Sequence, residues 1–99
     1  MLIRIVHMHF TKEHVEKFLE IFKESAEAIQ AMEGCRHLEL LRDLQDDCHF
    51  TTISEWDTAD HLTQYRESDL FRSVWGRVKP MFDQKPRAHS MSPAVAGPR

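Results

Sequence analysis

The stretch that decides the fold is residues 50–71, which read FTTISEWDTADHLTQYRESDLF. Before Trp56 the apolar or small side chains recur at every second position, which is the period of a strand with one buried face. After Asp57 they recur every three or four positions, which is the period of an amphipathic helix. The sequence therefore predicts a buried strand that passes through a capping residue directly into a short helix.

The N-terminal third has the same order of strand and helix. Residues 2–10 predict a strand that is apolar on both faces, with Ile3 and Ile5 on one side and Leu2, Val6, Met8 and Phe10 on the other. Such a strand needs a cover on each face. We expect Thr11 to cap the following helix and Gly34 to end it in the left-handed conformation. Its apolar stripe consists of Val15, Phe18, Leu19, Phe22, Ala26, Ile29 and Met32.

The middle of the chain predicts a hairpin and a divided helix. Residues 35–42 and 49–56 alternate around a polar turn at 43–47, which is typical of two antiparallel strands. A second cap at Ser68 divides the helix after Asp57, and Pro80 limits the second piece.

Residues 84–91 predict the last strand, with Pro86 at its start or on a sheet edge. The resulting order, βαββαβ, is that of a ferredoxin-like α+β domain, an antiparallel sheet with helices on one face. We expect this domain to span residues 1–91 and a C-terminal tail to occupy 92–99. The uncovered sheet face carries too many apolar side chains to stay in water. We therefore expect a homodimer whose two sheets face each other across a closed cavity.

Composition excludes several classes of function. The 99 residues are enough for one domain, with 41% hydrophobic and 29% charged residues and a formal charge of −3. A basic stripe is missing, so we expect no nucleic-acid partner. No apolar run reaches membrane-spanning length, and the N-terminus lacks the pattern of a secretion signal, so we expect a cytoplasmic protein.

Cysteines and histidines are the potential metal ligands. Cys35 and Cys48 would not face each other in the hairpin, so we expect neither a disulfide nor a metal pair. Five of the seven histidines fall in predicted strands, namely His7, His9, His37, His49 and His89. Because no HxxxH or HxxE spacing supports a local site, we expect no bound metal.

Aromatic side chains are the first candidates for a binding site. Trp56 either anchors the core at the strand-to-helix corner or forms the wall of a pocket. Tyr65 lies three residues after Leu62, so its ring can rest on the core while its hydroxyl reaches a pocket mouth. Trp75 shares the apolar stripe of its helix, which favours a place in the core.

A strand ending in Glu-Trp, then Asp-Thr, a helix with an aromatic residue and a closing Ser-Asp-x-Phe resembles the antibiotic biosynthesis monooxygenase-like family of dimeric α+β barrels. The resemblance implies a homodimer that oxygenates a small or polycyclic aromatic substrate, such as a quinol or anthrone, without metal, flavin or haem. Such a substrate forms an anion that itself reduces oxygen, so the protein needs a dry cavity and a means of stabilising the anion.

The resemblance also suggests roles for individual residues. His49 is the expected base, Arg4 is expected to hold the oxyanion, and Trp56 and Tyr65 are the expected walls. Tyr65 is the leading site candidate, and we group it with His49 and Arg4 as an expected catalytic residue. Arg4 has an alternative reading as the partner of Glu55 or as a residue of the rim.

Four positions depart from the family patterns. Thr52 stands where one family pattern has an asparagine, so one hydrogen-bonding group is lost. The haem-degrading branch has an asparagine, a tryptophan and a histidine near the positions of Val6, Tyr65 and Trp75, and none of these matches. We therefore expect no haem, and we place Val6, Thr52 and Trp75 with Trp56 among the substrate-binding residues.

Two other functions are compatible with the same sequence. The first is a non-catalytic dimer that binds a small ligand or serves as a stress-related accessory, which the departures at Val6, Thr52 and Trp75 favour. The second is an isomerase or decarboxylase that moves a proton without a cofactor, because fold alone does not fix chemistry.

Overall fold

The computed structural model describes residues 1–95 and Gly97. Its elements are the strand β1 (Leu2–His9), a 3-10 turn (Lys12–His14), the helix α1 (Val15–Gln30), the strands β2 (Cys35–Arg42) and β3 (His49–Trp56), the helices α2 (Ala59–Arg66) and α3 (Asp69–Val78), a second 3-10 turn (Lys79–Met81) and the strand β4 (Arg87–Met91). The predicted βαββαβ order is confirmed, with the second helical region divided in two.

The four strands form one antiparallel sheet in the order β2-β3-β1-β4. All helices lie on one side of it, and their apolar stripes cover the even-numbered residues of β1 and β3. The main core cluster consists of Met8, Phe10, Val15, Phe18, Ile21, Phe50 and Val78. The opposite face, which we call the open face, carries the odd-numbered side chains of these two strands, and no helix of the described residues covers it.

Local sequence signals set most of the element ends. Gly34 has a φ of +83°, as predicted, and a Cβ at that position would collide with the side chain of His61. The side chains of Thr58 and Ser68 accept hydrogen bonds from the first turns of α2 and α3. The predicted break at Ser68 is therefore confirmed, and it separates the two helices that cover the candidate site.

The start of α1 differs from the prediction. Thr11 does not cap the helix through its side chain, and a 3-10 turn precedes Val15. The backbone N–H of Phe10 donates to Cys48 O at 3.0 Å, and that of Thr11 donates to Met81 O at 3.2 Å. Because distant loops hold these backbone groups, the chain makes a tight turn before the helix begins.

The C-terminal strand is shorter than predicted, since it begins at Arg87 and directly follows Pro86. The predicted tail begins after Met91, and its residues 96, 98 and 99 lie outside the described residues. Among the helices of the described chain, none combines the length and the apolar character that crossing a bilayer requires.

Candidate functional site

A pocket of about 300 Å³ lies between the helices and the sheet, within a single protomer. Its volume is at the lower end of the range for ligand pockets. Its lining residues are Arg4, Val6, Met8, Phe18, Phe22, Ile29, Leu38, Thr52, Ser54, Trp56, Leu62, Tyr65, Arg66, Phe71, Val74, Trp75, Val78, Pro86 and Ala88. The sequence predicts a cavity between the facing sheets of two protomers, whereas this pocket lies on the helix-covered side of one sheet.

Strand register builds the floor of the pocket. Val6 pairs with both Thr52 and Ala88, and Arg4 pairs with Ser54. Paired residues of antiparallel strands point to the same face, so these side chains come together under the helices. Because several of them are small, they leave space beneath the aromatic residues of α2 and α3.

Aromatic rings form one wall of the pocket. The Tyr65 ring stacks on the Trp56 ring with centroids 5.1 Å apart and an interplanar angle of 20°. Phe71 meets Tyr65 edge to face at 5.3 Å and stacks on Trp75 at 5.8 Å. These parallel and perpendicular contacts hold the rings in fixed positions and present flat apolar surfaces to a ligand.

Trp56 combines the two roles that the sequence offers for it. Its side chain is 0% exposed, and its Nε1–H donates to the Ser54 hydroxyl at 2.9 Å. The indole is thus satisfied and immobile, and it also lines the pocket. Asp57, the next residue, accepts two hydrogen bonds from Arg36 at 2.7 and 2.8 Å, which fixes the corner between β3 and α2.

Tyr65 is the phenol of the pocket. Burial, and to a lesser extent Cys35, raises the pKa of Tyr65 to about 12. The hydroxyl therefore keeps its proton at neutral pH and is available as a hydrogen-bond donor. It does not supply a base.

Two arginines provide the only charges among the described lining residues, which contain no Asp, Glu, His or Lys. Arg4 is half-buried on the sheet floor, where its Nη1–H donates to the Ser90 hydroxyl at 3.0 Å. Arg66 is exposed at the end of α2. Burial and the nearby charge of Arg66 lower the pKa of Arg4. The alternative partner of Arg4, Glu55, lies on the open face opposite Ile3.

The structure does not bring His49 to this pocket. His49 pairs with His9 on the open face, where its Nδ1 lies 3.1 Å from Asp43 Oδ2 and its Nε2 lies 3.4 Å from His7 Nδ1. The sheet separates it from Tyr65 and Arg4. The prediction that His49 acts as a base alongside these two residues is therefore wrong in its geometry, because His49 and Trp56 are an odd number of residues apart on one strand.

The open face carries its own polar cluster around a second hollow of about 210 Å³. His9 bridges Asp83 at 2.6 Å and Asp46 at 2.9 Å, and these hydrogen bonds, led by Asp83, raise the pKa of His9. Burial and the charge of Arg87 lower the pKa of His7. Within the described part of the chain, no three His, Cys, Asp or Glu side chains converge in a way that suits a metal ion.

The other predicted site residues do converge. Val6, Thr52, Trp56, Tyr65 and Trp75 all line the pocket together with Arg4. This set includes every position at which the chain departs from the family patterns.

Arg66 and Phe71 line the pocket but are absent from the predicted set. Helical spacing could have identified Arg66, because it shares a face with Leu62 at i+4 and follows Tyr65 directly. Phe71 lies on the apolar stripe of α3, where the pattern alone does not separate core residues from pocket residues.

These features define the class of the protein, which is a ferredoxin-like α+β domain with an aromatic pocket under its helices. The family model for antibiotic biosynthesis monooxygenase matches residues 1–75. The chain belongs to this family, which confirms the resemblance found in the sequence.

Solved structures agree on the fold. One described as an antibiotic biosynthesis monooxygenase superposes with a TM-score of 0.90 at 21% identity, covering 96% of this chain and 100% of that one. A conserved protein from Methanosarcina mazei Go1 gives 0.86 at 23% identity, covering 92% and 91% of the two chains. A Pseudomonas aeruginosa protein gives 0.84 at 17% identity, covering 95% and 94%. The search of curated proteins found no match.

Proposed function

We propose that this protein is a monooxygenase that acts on a small aromatic hydroxy compound and uses no metal, flavin or haem. One observation carries the proposal: a single pocket combines flat aromatic walls, a half-buried cation and a protonated phenol, and its described lining has no acidic side chain. This combination suits a planar ligand that becomes negatively charged. The pocket volume favours one or two fused rings over a larger polyketide.

Arg4 is the residue that we assign to the oxyanion. The residue is half-buried at the pocket floor, so part of its attraction for a phenolate acts outside bulk water, where it is stronger. This attraction lowers the pKa of a bound naphthol, and water at the pocket mouth takes the proton. A protein base is then unnecessary, which is consistent with the position of His49 on the other face.

Molecular oxygen is the second reactant. With 1-naphthol as the example, the bound anion gives one electron to O₂, and the two radicals join at the ring carbon opposite the hydroxyl to form a hydroperoxide. The ring C–H then loses its proton, the O–O bond breaks and hydroxide leaves, so that a carbonyl remains. Naphthol and O₂ thus become naphthoquinone and water, and the substrate provides all four electrons.

The other predicted residues hold the ring in this scheme. Trp75 and Tyr65 are the walls against which the ring packs, and Trp56 supports the Tyr65 ring from behind. Val6 and Thr52 contact the substrate from the sheet. The Tyr65 hydroxyl keeps its proton and donates a hydrogen bond to an oxygen of the substrate or of the hydroperoxide. Exclusion of water from the walls protects the radical pair.

We also propose that the protein is a homodimer formed through the open face. Ile3, Ile5 and Ile53 lie side by side there on the two central strands, and Leu41 and Met91 are 43% and 55% exposed on the neighbouring strands. Apolar side chains gathered on an uncovered sheet mark an interaction surface. A second copy offers the same surface to a twofold contact, so it covers this face completely.

An oxygen electrode tests the activity with 1-naphthol and with 1,8-dihydroxyanthrone. We expect oxygen uptake above the buffer rate, with quinone as the product. Arg4→Gln should lower kcat/KM about 100-fold, the usual cost of removing a donor that stabilises an oxyanion. Tyr65→Phe should lower it less, because the ring remains in place.

His49→Gln is the matched control, because His49 lies across the sheet from the pocket. We expect its kcat/KM to stay within about twofold of the parent. Absence of uptake with both compounds contradicts the oxygenase proposal, and so does a loss in His49→Gln as large as that in Arg4→Gln.

A second candidate is a non-catalytic binding protein for the same kind of ligand. The observation that favours it is the lack of an acid–base side chain with a near-neutral pKa among the described lining residues. The same lack disfavours isomerase or decarboxylase chemistry, in which a base must stand beside the substrate. Tight binding of 1-naphthol without oxygen uptake supports the binding role.

A further inference from the structure

The pocket has more positive charge than an oxyanion alone requires. Arg4 reaches it from the sheet and Arg66 from the last turn of α2, and the two charges are close enough for one to lower the pKa of the other. Their mutual repulsion is unfavourable in the empty protein. A negatively charged group bound between them removes this repulsion and gains two attractions.

The hydrogen-bonding capacity of the two arginines also favours a negatively charged group between them. A guanidinium has five N–H donors, and Ser90 takes one of those on Arg4. Within residues 1–95 and Gly97, the arginines that form ion pairs with carboxylates are Arg36, Arg72 and Arg77. Arg4 and Arg66 are not among them, so their planar forks are available to a ligand.

Arg66 also has a purely structural explanation. It lies in the last turn of α2, where a cation interacts favourably with the negative end of the helix dipole. That role needs only a positive charge at the helix end and does not involve the pocket. It therefore predicts no effect of Arg66 on which ligand binds.

We infer that the ligand of this pocket carries a permanent carboxylate beside its ring hydroxyl, and that the carboxylate binds between Arg4 and Arg66. The ligand class is a hydroxylated aromatic acid. A carboxylate is planar and accepts paired N–H bonds from a guanidinium, whereas the aromatic walls hold the ring. The inference rests on the proposed function only in taking the same pocket as the ligand site.

Calorimetric titration tests this with two compounds of nearly equal shape, 1-hydroxy-2-naphthoate and 1-hydroxy-2-naphthamide. We expect the acid to bind about tenfold tighter than the amide, which corresponds to one good charge-assisted interaction. Arg66→Gln should reduce the preference to about twofold or less, and Arg66→Lys should restore part of it.

Arg72→Gln is the matched control, because Arg72 is an exposed arginine on α3 that pairs with Asp69 outside the pocket lining. Arg72→Gln should prefer the acid over the amide by the same factor as the parent protein. Equal affinity for acid and amide overturns the inference, as does a preference that survives in Arg66→Gln or a failure of both compounds to bind.

Oxygen uptake with the same two compounds keeps this inference separate from the proposed activity. A preference for the acid without any uptake contradicts the oxygenase and leaves the ligand class standing. If the acid and the amide bind with equal affinity and give equally fast oxygen uptake, the oxygenase proposal stands and the inferred ligand class is overturned.

Discussion

The two faces of the same four-stranded sheet carry different chemistry. The helix-covered face has aromatic residues, small side chains and two arginines around a pocket, with no acidic or histidine side chain in its described lining. The open face has isoleucines beside histidines that contact one another and nearby aspartates. The first face is suited to holding a flat anion and the second to meeting another protein surface.

This difference follows from a period of two along β1 and β3. Adjacent residues such as Val6 and His7 belong to opposite faces, so a shift of one position along the strand changes the environment completely. One strand therefore contributes both to the pocket and to the proposed interface. Experiments on the two faces should give separable results.

The largest expected effect is on assembly. Ile53→Asp places a carboxylate in the middle of the open face, and an uncompensated buried charge costs about 3–5 kcal/mol. A twofold dimer contains the change twice, so we expect sedimentation equilibrium at micromolar concentration to show a monomer. Leu44→Asp is the control, because Leu44 is fully exposed in the β2–β3 turn. A parent protein that is itself monomeric contradicts the proposed dimer.

The next effect contrasts the stability of the two faces. Trp56→Ala removes a fully buried indole from the covered face and should lower the free energy of unfolding by about 3–5 kcal/mol. Leu41→Ala on the open face should cost less than about 1 kcal/mol in dilute solution. Urea unfolding measures both. Because a dimer buries the open face, the stability cost of Leu41→Ala should increase with protein concentration. Equal costs for Trp56→Ala and Leu41→Ala would contradict the expected difference between the two faces.

The pH dependence of stability should have opposite signs at two histidines of the open face. The pKa of His9 is raised, chiefly by Asp83, so its contribution to stability is full below about pH 6.5 and is lost as the pH rises through the raised value. The pKa of His7 is lowered by burial and by Arg87, so its contribution is present above about pH 6.5 and is lost as the pH falls through the lowered value.

Unfolding experiments on His9→Gln and His7→Gln measure these contributions. The stability lost in His9→Gln should shrink as the pH rises above about 6.5. The stability lost in His7→Gln should shrink as the pH falls below about 6.5. If the stability lost in the two variants changes in the same direction with pH, the assigned pKa shifts of His9 and His7 are contradicted.

The smallest expected effect belongs to the pocket. Arginine guanidinium groups keep their protons in proteins, and Tyr65 has a pKa of about 12. The dissociation constant of 1-hydroxy-2-naphthoate should therefore change by less than about twofold between about pH 6 and pH 9. A steep change in calorimetric titrations near neutral pH would show that a histidine takes part in binding.

Local patterns were sufficient to predict most of the fold. The change of period at Trp56, the left-handed residue at Gly34 and the cap at Ser68 are all set by neighbouring residues. The start of α1 was not predictable in this way, because backbone bonds to Cys48 and Met81 hold the preceding residues. Such long-range bonds leave no trace in the local sequence.

The site was predictable in part. Alternation along β1 and β3 puts Arg4, Val6, Thr52 and Trp56 on one face of the sheet and His49 on the other, whereas the expected roles of these residues came from the family resemblance and from their chemistry. The closeness of Arg4 and Arg66 depends on how α2 packs over the sheet, and no spacing in the sequence gives that distance. The pocket itself exists because small floor residues lie under large aromatic ones, which is a property of the packed structure.

The most direct test of the central claim uses the two tryptophans of the chain, Trp56 and Trp75, which both line the pocket. In proton–nitrogen correlation spectra, addition of 1-hydroxy-2-naphthoate should shift both indole Nε1–H signals. The imidazole Cε1–H signals of His7, His49 and His89 on the open face should stay in place. Unchanged indole signals, or shifts confined to those imidazoles, would contradict the assignment of the covered face as the ligand site.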